Sequence, residues 1–260
     1  MVRGMYTAAS GALVAQSAVD TIANNLANVN TNGFKRSLLQ VQSQPLVGLY
    51  RIQTDPAVNG GAPTRVSIGA LGTGAQVYDT PADFQQGLIA TTGNDLDVAL
   101  SGAGFFALRD GNGALKYSRD GSFMRDQNGY LTASNGDRVL GAGGAPILLP
   151  ASGKVGIGRD GTLTVDGRTY DRLNVVEFAN VANLRPEGAN RFADTGGAGP
   201  RAATNTTALQ GSLEKSNADV VRSMVDLIAN ERWFQANEKS IQTQDDAVAQ
   251  AVQTVGRSTL

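Results

Sequence analysis

Val220-Val-Arg-Ser-Met-Val-Asp-Leu227-Ile-Ala-Asn-Glu-Arg-Trp-Phe234-Gln-Ala-Asn-Glu-Lys-Ser-Ile241-Gln-Thr-Gln-Asp-Asp-Ala-Val248-Ala-Gln-Ala-Val-Gln-Thr-Val255 places one large apolar residue at every seventh position. An ideal helix drifts only about 20° per heptad, so Val220, Leu227, Phe234, Ile241, Val248 and Val255 form one continuous seam. At 1.5 Å per residue the helix carrying them spans roughly 54 Å, more than one compact domain needs. The seam is also thin. Positions three residues further on are Ser223, Asn230, Asn237, Gln244 and Ala251, and positions four further on are Met224, Glu231, Glu238, Asp245 and Val252. So narrow a stripe suits a helix–helix contact better than the floor of a globular core. This helix needs a partner.

The opposite end of the chain offers one. Met5, Ala8, Ala12, Ala15, Val19, Ile22, Leu26 and Val29 follow a heptad a/d pattern without interruption. Alanines in the first half allow close backbone approach, and the second half carries bulkier residues. The layout is therefore two amphipathic helices at the two ends with something different between them. A closed domain whose terminal helices dock on its own core would show the same periodicity, and periodicity does not separate the two.

Composition narrows the function. The chain has 260 residues, a formal net charge of −1, and 17% charged residues, against a usual ~25%. It lacks the basic footprint of a nucleic-acid binder. It contains no cysteine and no histidine. The first absence excludes disulfides, thiol catalysis and thiolate metal sites; the second removes the commonest general base and transition-metal ligand. No apolar run is long enough for a membrane span. Met1-Val-Arg-Gly-Met5 lacks the apolar segment of a secretory signal, so any export is expected to leave the chain uncleaved.

Taken in order, the first helix is expected from about Arg3 to Val29. It ends before Asn30-Thr31-Asn32-Gly33, where Gly33 can adopt the left-handed C′ conformation. Asn24, Asn25, Asn28, Asn30 and Asn32 crowd this end. Their amides either decorate a frayed helix end or bond across to neighbouring helices in an assembly. Residues 37–80, punctuated by Pro45, Pro56, Gly60-Gly61 and Pro63, read as an extended connector with short strands. From 81 the pattern turns to β. Short apolar or alternating runs are separated by Asp110-Gly111, Asp120-Gly121, Asn128-Gly129, Asn135-Gly136, Asp160-Gly161 and Asp166-Gly167. Such dipeptides are the strongest short-range hairpin signals, and six in succession predict antiparallel hairpins. Residues 188–207 read as a surface loop. The last helix is expected to start near Ser216, capped by Ser216 or Asn217, with Asp219 in its first turn. The fold class is thus α+β: terminal helices pairing as a coiled coil around a central antiparallel β-rich domain. The expected divisions are 1–36 (helical, one discontinuous domain with 214–260), 37–80 (connector), 81–213 (β-rich) and 214–260.

No catalytic constellation emerges. Asp110-Gly-Asn-Gly113 faintly suggests a calcium loop, but Gly121 stands where the twelfth-position glutamate belongs. Gly102-Ala-Gly104 and Gly69-Ala-Leu-Gly72-Thr-Gly74 lack the context of nucleotide loops. Glu231, Glu238 and Asp245 lie on one helix face, but seven residues is ~10.5 Å along the axis, beyond the ~5–9.5 Å of paired glycosidase carboxylates. They fit better as charges flanking a seam. The expectation is a protein with no enzymatic activity, no cofactor and no metal.

Both termini resemble one family. Ile22-Ala-Asn24-Asn25-Leu26-Ala-Asn28-Val-Asn-Thr31-Asn-Gly33-Phe34-Lys35 resembles the N-terminal signature of flagellar rod and hook proteins. Gly211-Ser-Leu-Glu-Lys-Ser216-Asn217-Ala-Asp219, with Met224-Val-Asp-Leu-Ile228 and Ala236-Asn-Glu-Lys-Ser-Ile241, resembles their C-terminal signature. Asp97-Val-Ala-Leu, Gly104-Phe-Phe106 and Tyr117-Ser-Arg-Asp-Gly-Ser-Phe123 are similar to the central domain of basal-body rod subunits of the FlgF/FlgG type. Ala218 and Glu231-Arg-Trp-Phe234 depart from the usual residues, which bears on which rod subunit this is more than on whether it is one.

The resemblance implies a structural subunit of the bacterial flagellar basal-body rod. Such a subunit polymerises through paired terminal helices that line a tube, with the β domain outside, into a torque-transmitting shaft. It implies export through the flagellar type III apparatus without a cleaved signal, and location in the cell envelope. Implied partners are copies of itself and neighbouring rod and hook proteins, with ring (bushing) proteins and peptidoglycan as further candidates; nucleic acid is not one. The assembly residues are then Val19, Ile22, Leu26, Val220, Leu227, Phe234, Ile241, Val248 and Val255. A hook or hook-associated subunit of the same family, and a wall-acting enzyme with helical anchors, are the competing readings.

Overall fold

The computed structural model describes residues 2–54, 63–150 and 152–257, with side chains placed for 4–52, 65–150 and 152–254. The chain forms two compact units, one from 1–23, 39–80 and 224–260, the other from 24–38 and 81–223. No helix among the described residues is long and apolar enough to cross a membrane.

Two long helices dominate the first unit and extend past its bounds, α1 (Val2–Ala27) and α2 (Val220–Arg257). They pack together. Within this unit the side chains α1 buries are small, Ala8, Ala12, Val14, Ala15 and Ala18, which lets a partner backbone come close. Between the helices in sequence lie β1 (Gln40–Ser43), β2 (Val47–Thr54), β3 (Pro63–Leu71) and β4 (Ala75–Asp79). β1 pairs antiparallel with β4 and β2 with β3, one hairpin nested inside another. The segment expected as a connector with short strands therefore includes an eight-residue and a nine-residue strand. Their apolar residues, Val47, Tyr50, Ile52, Val66 and Ile68, are exposed, so alternation there did not advertise a buried face. At the end of the hairpin, Ser10 of α1 accepts a hydrogen bond from the Ala75 amide at 3.3 Å.

The second unit holds the β core. Its strands begin with β5 (Ile89–Thr91), β6 (Val98–Ser101), β7 (Phe105–Arg109), β8 (Leu115–Ser118), β9 (Phe123–Arg125) and β10 (Leu131–Ala133). Then come β11 (Arg138–Val139), β12 (Val155–Ile157), β13 (Thr162–Val165), β14 (Arg168–Arg172) and β15 (Val175–Phe178). β16 (Leu184–Pro186), β17 (Arg191–Asp194), β18 (Pro200–Ala202), β19 (Thr207–Gln210) and β20 (Ser212–Glu214) complete the order. Every named pair is antiparallel. The largest sheet runs β16-β17-β8-β7-β11-β10-β9, with β15 also on β7 and β18 on β15; β12-β13-β14, β19-β6 and β20-β5 form smaller sheets.

β7 is the pivot. Its residues Phe105–Leu108 are all buried, because both faces are covered. Phe106 and Leu108 join a cluster with Val98, Leu100, Phe123, Leu131 and Ile147. Phe105 and Ala107 join the other, with Tyr117, Phe178, Leu184 and Phe192. A strand covered on both sides reads as a continuous apolar run, as Gly104–Leu108 does. Edge-to-face aromatic pairs, such as Phe106–Phe123 at 4.9 Å and Tyr117–Phe178 at 4.7 Å, close the two clusters.

Five of the six Gly-containing dipeptides make the expected hairpin turns, between β7 and β8, β9 and β10, β10 and β11, β12 and β13, and β13 and β14. Asp166 and Gly167 both have positive φ (51° and 79°), as a type I′ turn demands. Asp110 Oδ1 accepts from the Asn112 and Ala114 amides, so that carboxylate works as a turn brace. Asp120-Gly121 is the exception. It joins β8 to β9, which do not pair; Asp120 braces Ser122, and Gly121 lets the backbone press on the Val98 carbonyl. The expected loop over 188–207 carries β17 and β18. Phe192, buried in the core, anchors β17, and one aromatic residue among Gly, Ala and Thr was too weak a pattern to show it.

Candidate assembly elements

The seam of α2 is present and has two columns. Leu227, Asn230, Phe234, Asn237, Ile241, Gln244, Val248 and Ala251 are half-buried, in alternating steps of four and three, while the residues between them are exposed. One column is apolar; the other is made of three amides and Ala251. Glu231, Glu238 and Asp245 are exposed beside it. Val220, the first residue of α2, is 37% exposed and belongs to the second unit. The Val255 side chain lies outside those described. On α1, Met5, Val19, Ile22 and Leu26 are half-buried beside the fully buried alanines.

Two contacts set the direction of the pair. A methyl group at Gly4 would lie 2.6 Å from Gln244 Oε1, and one at Gly11 would lie 3.0 Å from Asn237 Oδ1. Seven residues forward in α1 are seven residues back in α2, so the helices run antiparallel. The sequence reading named neither glycine, because glycine carries no hydropathy signal. The amides on α2 donate to their own helix: Asn230 to the Asp226 carbonyl at 2.8 Å, Asn237 to the Trp233 carbonyl at 3.0 Å, and Gln244 to Ser240 Oγ at 3.4 Å. Gln244 Oε1 is buried with no hydrogen-bond partner.

The family-motif residues gather elsewhere, in the second unit. Asn25 bridges to Ser37 in both directions, its Nδ2 donating to the Ser37 carbonyl at 2.9 Å and its Oδ1 accepting from the Ser37 amide at 2.8 Å. This folds the chain back after the helix, with the Asn25 amide working within its own chain. Asn28 Nδ2 likewise returns to the Asn24 carbonyl, and Thr31 Oγ1 donates to Asn28 Oδ1 at 3.2 Å. Gly33 has a φ of 67°. It lies beyond the helix end rather than at its C′ position, and it permits close approach: a methyl group there would lie 2.5 Å from the Arg119 carbonyl carbon. Its amide donates to the Glu214 carbonyl at 2.7 Å.

A buried carboxylate holds this cluster together. Glu214 Oε1 accepts from Lys35 Nζ at 2.6 Å and from the Gly87 amide at 2.8 Å, and its Oε2 pairs with Arg119 Nη1 at 3.4 Å. Lys35 also donates to the Gln85 carbonyl at 2.7 Å. Burial pushes both cations below their ordinary values, and Glu214 opposes that shift in each. The Arg119 guanidinium lies 4.7 Å from the centre of the Phe105 ring, which adds attraction from the ring face. Neither Glu214 nor Arg119 was singled out from sequence. The available signal was a glutamate in Ser212–Glu214, a strand whose residues are all buried.

Asn217 completes the tie. Its Oδ1 accepts from the Arg36 amide at 2.8 Å, its Nδ2 donates to the Asp83 and Gln85 carbonyls, and the neighbouring Arg36 pairs with Asp83. With that amide committed, neither Asn217 nor Ser216 caps α2. Asp219 does, its carboxylate accepting from the Arg222 amide at 3.0 Å. Phe34 lends its carbonyl to the Asn217 amide.

Three family models match the chain: the Flagella basal body rod protein over residues 5–35, the Flagellar hook protein FlgE/F/G D1 domain over 99–165, and the Flagellar basal body rod FlgEFG protein C-terminal over 209–254. The flagellar basal-body rod protein FlgG of Buchnera aphidicola subsp. Schizaphis graminum is 34% identical, covering 94% of this chain and 96% of the relative. FlgG of Borreliella burgdorferi is 34% identical over 95% and 96%. FlgF of Caulobacter vibrioides is 30% identical over 99% of both. The first and third family matches hold Lys35 and Glu214, the two ends of the buried ion pair. With likeness running through both terminal helices and the core between them, the chain belongs to the flagellar basal-body rod protein family, a structural family without enzymatic activity, and is a rod subunit of the flagellar basal body.

Proposed function

We propose that the subunit polymerises through its terminal helices, α1 and α2 closing as a coiled coil that neighbouring copies then cover, to build a torque-transmitting shaft. The observation that carries this is what the helices leave open. Val221, Met224, Val225 and Ile228 on α2, and Tyr6 and Leu13 on α1, are exposed. The four on α2 recur as i, i+3, i+4 and i+7, one apolar face beside the seam. Val19, Ile22, Leu26, Val220, Leu227, Phe234, Ile241, Val248 and Val255 are the residues assigned to assembly, and Asn24, Asn25, Asn28, Thr31, Gly33, Phe34, Lys35, Ser216 and Asn217 shape the segments that lead into the helices.

A thin seam makes an isolated helix marginal. In this reading the helical segments are open in the exported monomer and order on assembly, which prevents premature polymerisation. Export then runs through the flagellar type III apparatus with no signal removed. The partners are neighbouring rod and hook proteins, with ring proteins and peptidoglycan around the shaft. Replacing Phe234 with Asp tests the reading directly. The variant is expected to keep a folded β core by hydrogen exchange, yet be missing from purified basal bodies and leave cells non-motile. Normal incorporation would refute it.

A further inference from the structure

The two faces that meet between α1 and α2 differ in size as well as polarity. On α1, Gly4, Gly11 and Ala18 recur every seventh residue; on α2, Gln244, Asn237 and Asn230 recur in the opposite direction. Two of these pairs are in contact, Gly4 with Gln244 and Gly11 with Asn237; a methyl group at Gly4 would require the Gln244 amide to move, and one at Gly11 would crowd Asn237. Continuing the same antiparallel spacing brings Asn230 opposite Ala18, itself buried. The amide N–H groups are turned back onto α2, and a carbonyl oxygen faces the glycine in both contacts. Gln244 Oε1 is buried there without a partner.

We infer that this column of amides on α2 decides which helix it accepts, admitting α1 and rejecting a second α2. In a polymer each α2 meets many copies of both helices, so partner choice has to be built in. An α2–α2 contact would set two rows of amides against each other and bury them. An α1–α1 contact would leave a groove of glycine and alanine unfilled. Only the mixed pair matches bulk with space. Apolar residues in place of the amides would remove that penalty from an α2–α2 contact, and with Leu227, Phe234 and Ile241 alternating with leucines, α2 would hold the residues of a self-associating coiled coil that competes with the mixed pair. Polar residues at such positions trade stability for partner choice.

Disulfide trapping in the cysteine-free full-length chain tests this, because oxidation accumulates even a transient pair. Gly4→Cys with Gln244→Cys reports mixed pairing by an intrachain bond, and Gln244→Cys alone reports α2 self-pairing by a covalent dimer. With Asn230 and Asn237 present, the intrachain bond is expected to form at least tenfold faster than in a control joining Gly4→Cys to Ser240→Cys, an exposed position. The single cysteine is expected to give little dimer. Adding Asn230→Leu and Asn237→Leu should raise dimer from the single-cysteine chain several-fold and reduce the intrachain product. In a third arm, Gly11→Leu should slow intrachain closure and Asn237→Ala should restore it by returning the space. Equal closure with the control, unchanged dimer in the leucine variant, or no restoration by Asn237→Ala would each overturn the inference. It rests on the proposed role of the helices only for its consequence in the rod. Incorporation of the Phe234→Asp variant tests that role, and the disulfide pattern tests the pairing rule.

Discussion

The two units bury their side chains differently. In the second, β7 is covered on both faces, and Phe105, Phe106, Leu108 and Leu131 are fully out of water. In the first, the large seam residues Leu227, Phe234, Ile241 and Val248 are only half-buried, and the fully buried side chains of α1 are small. One unit closes its core within a single chain; the other leaves large apolar surface on both helices and on the β2–β3 hairpin. Burial scales with apolar area removed from water. The second unit therefore supplies most of the stability of the free chain, and under the proposed polymerisation the first would gain most of its own when copies meet.

The strongest way to break this contrast is to remove Glu214. Glu214→Leu strands Lys35 and Arg119 without their carboxylate, and breaking one side of a buried pair costs about 3–5 kcal/mol; urea unfolding of the β core is expected to shift accordingly. Next, Leu131→Ala should cost about 2–5 kcal/mol as a core truncation, while Leu227→Ala should cost under about 1 kcal/mol in the free chain, its side chain being only partly removed from water. Equal costs would erase the distinction between the units. Asp219→Ala should cost about 1 kcal/mol at the start of α2, read as faster amide exchange in its first turn with the β core unchanged.

The smallest effect concerns acid. Hydrogen bonds, first from the Thr206 hydroxyl and then from the Asn205 amide, hold Glu177 below its ordinary value of 4.5. A carboxylate with a lowered folded value contributes stability that is complete above its unfolded value and lost as pH falls through the folded one. The wild type should therefore lose stability faster than Glu177→Gln below about pH 4.5 and match its slope above. Hydrogen exchange sharpens the contrast. Fast exchange confined to residues up to about 23 and beyond about 224 would separate the helical segments, proposed to order on assembly, from 24–38, which the motif cluster ties to the β core; protection at both ends would refute that ordering.

How much was legible in the sequence depended on how local the signal was. The heptad seam and the Asn-Gly and Asp-Gly turns were readable because each is written in neighbouring residues, where helix period and left-handed turn geometry act directly. Asp120-Gly121 misled because the same dipeptide also serves where two backbones touch. Strand β17 was hidden because one buried phenylalanine is no pattern. Gly4 and Gly11 left no trace in hydropathy, although they mark where the helices meet.

By itself, then, the order of residues determined that both ends are helical, that their seams are thin, and that antiparallel hairpins lie between. Tertiary structure alone decided that Lys35, Arg119 and Glu214 share one buried site, that Asn217 ties down the segment before α2 while Asp219 caps the helix, and that amides on α2 sit over glycines on α1. The reason is physical. Propensity and periodicity act over a few residues, whereas the partner of a buried charge, or the space left for an amide, is set by chain segments far apart in sequence, as Gly4 and Gln244 are, that meet only in the fold.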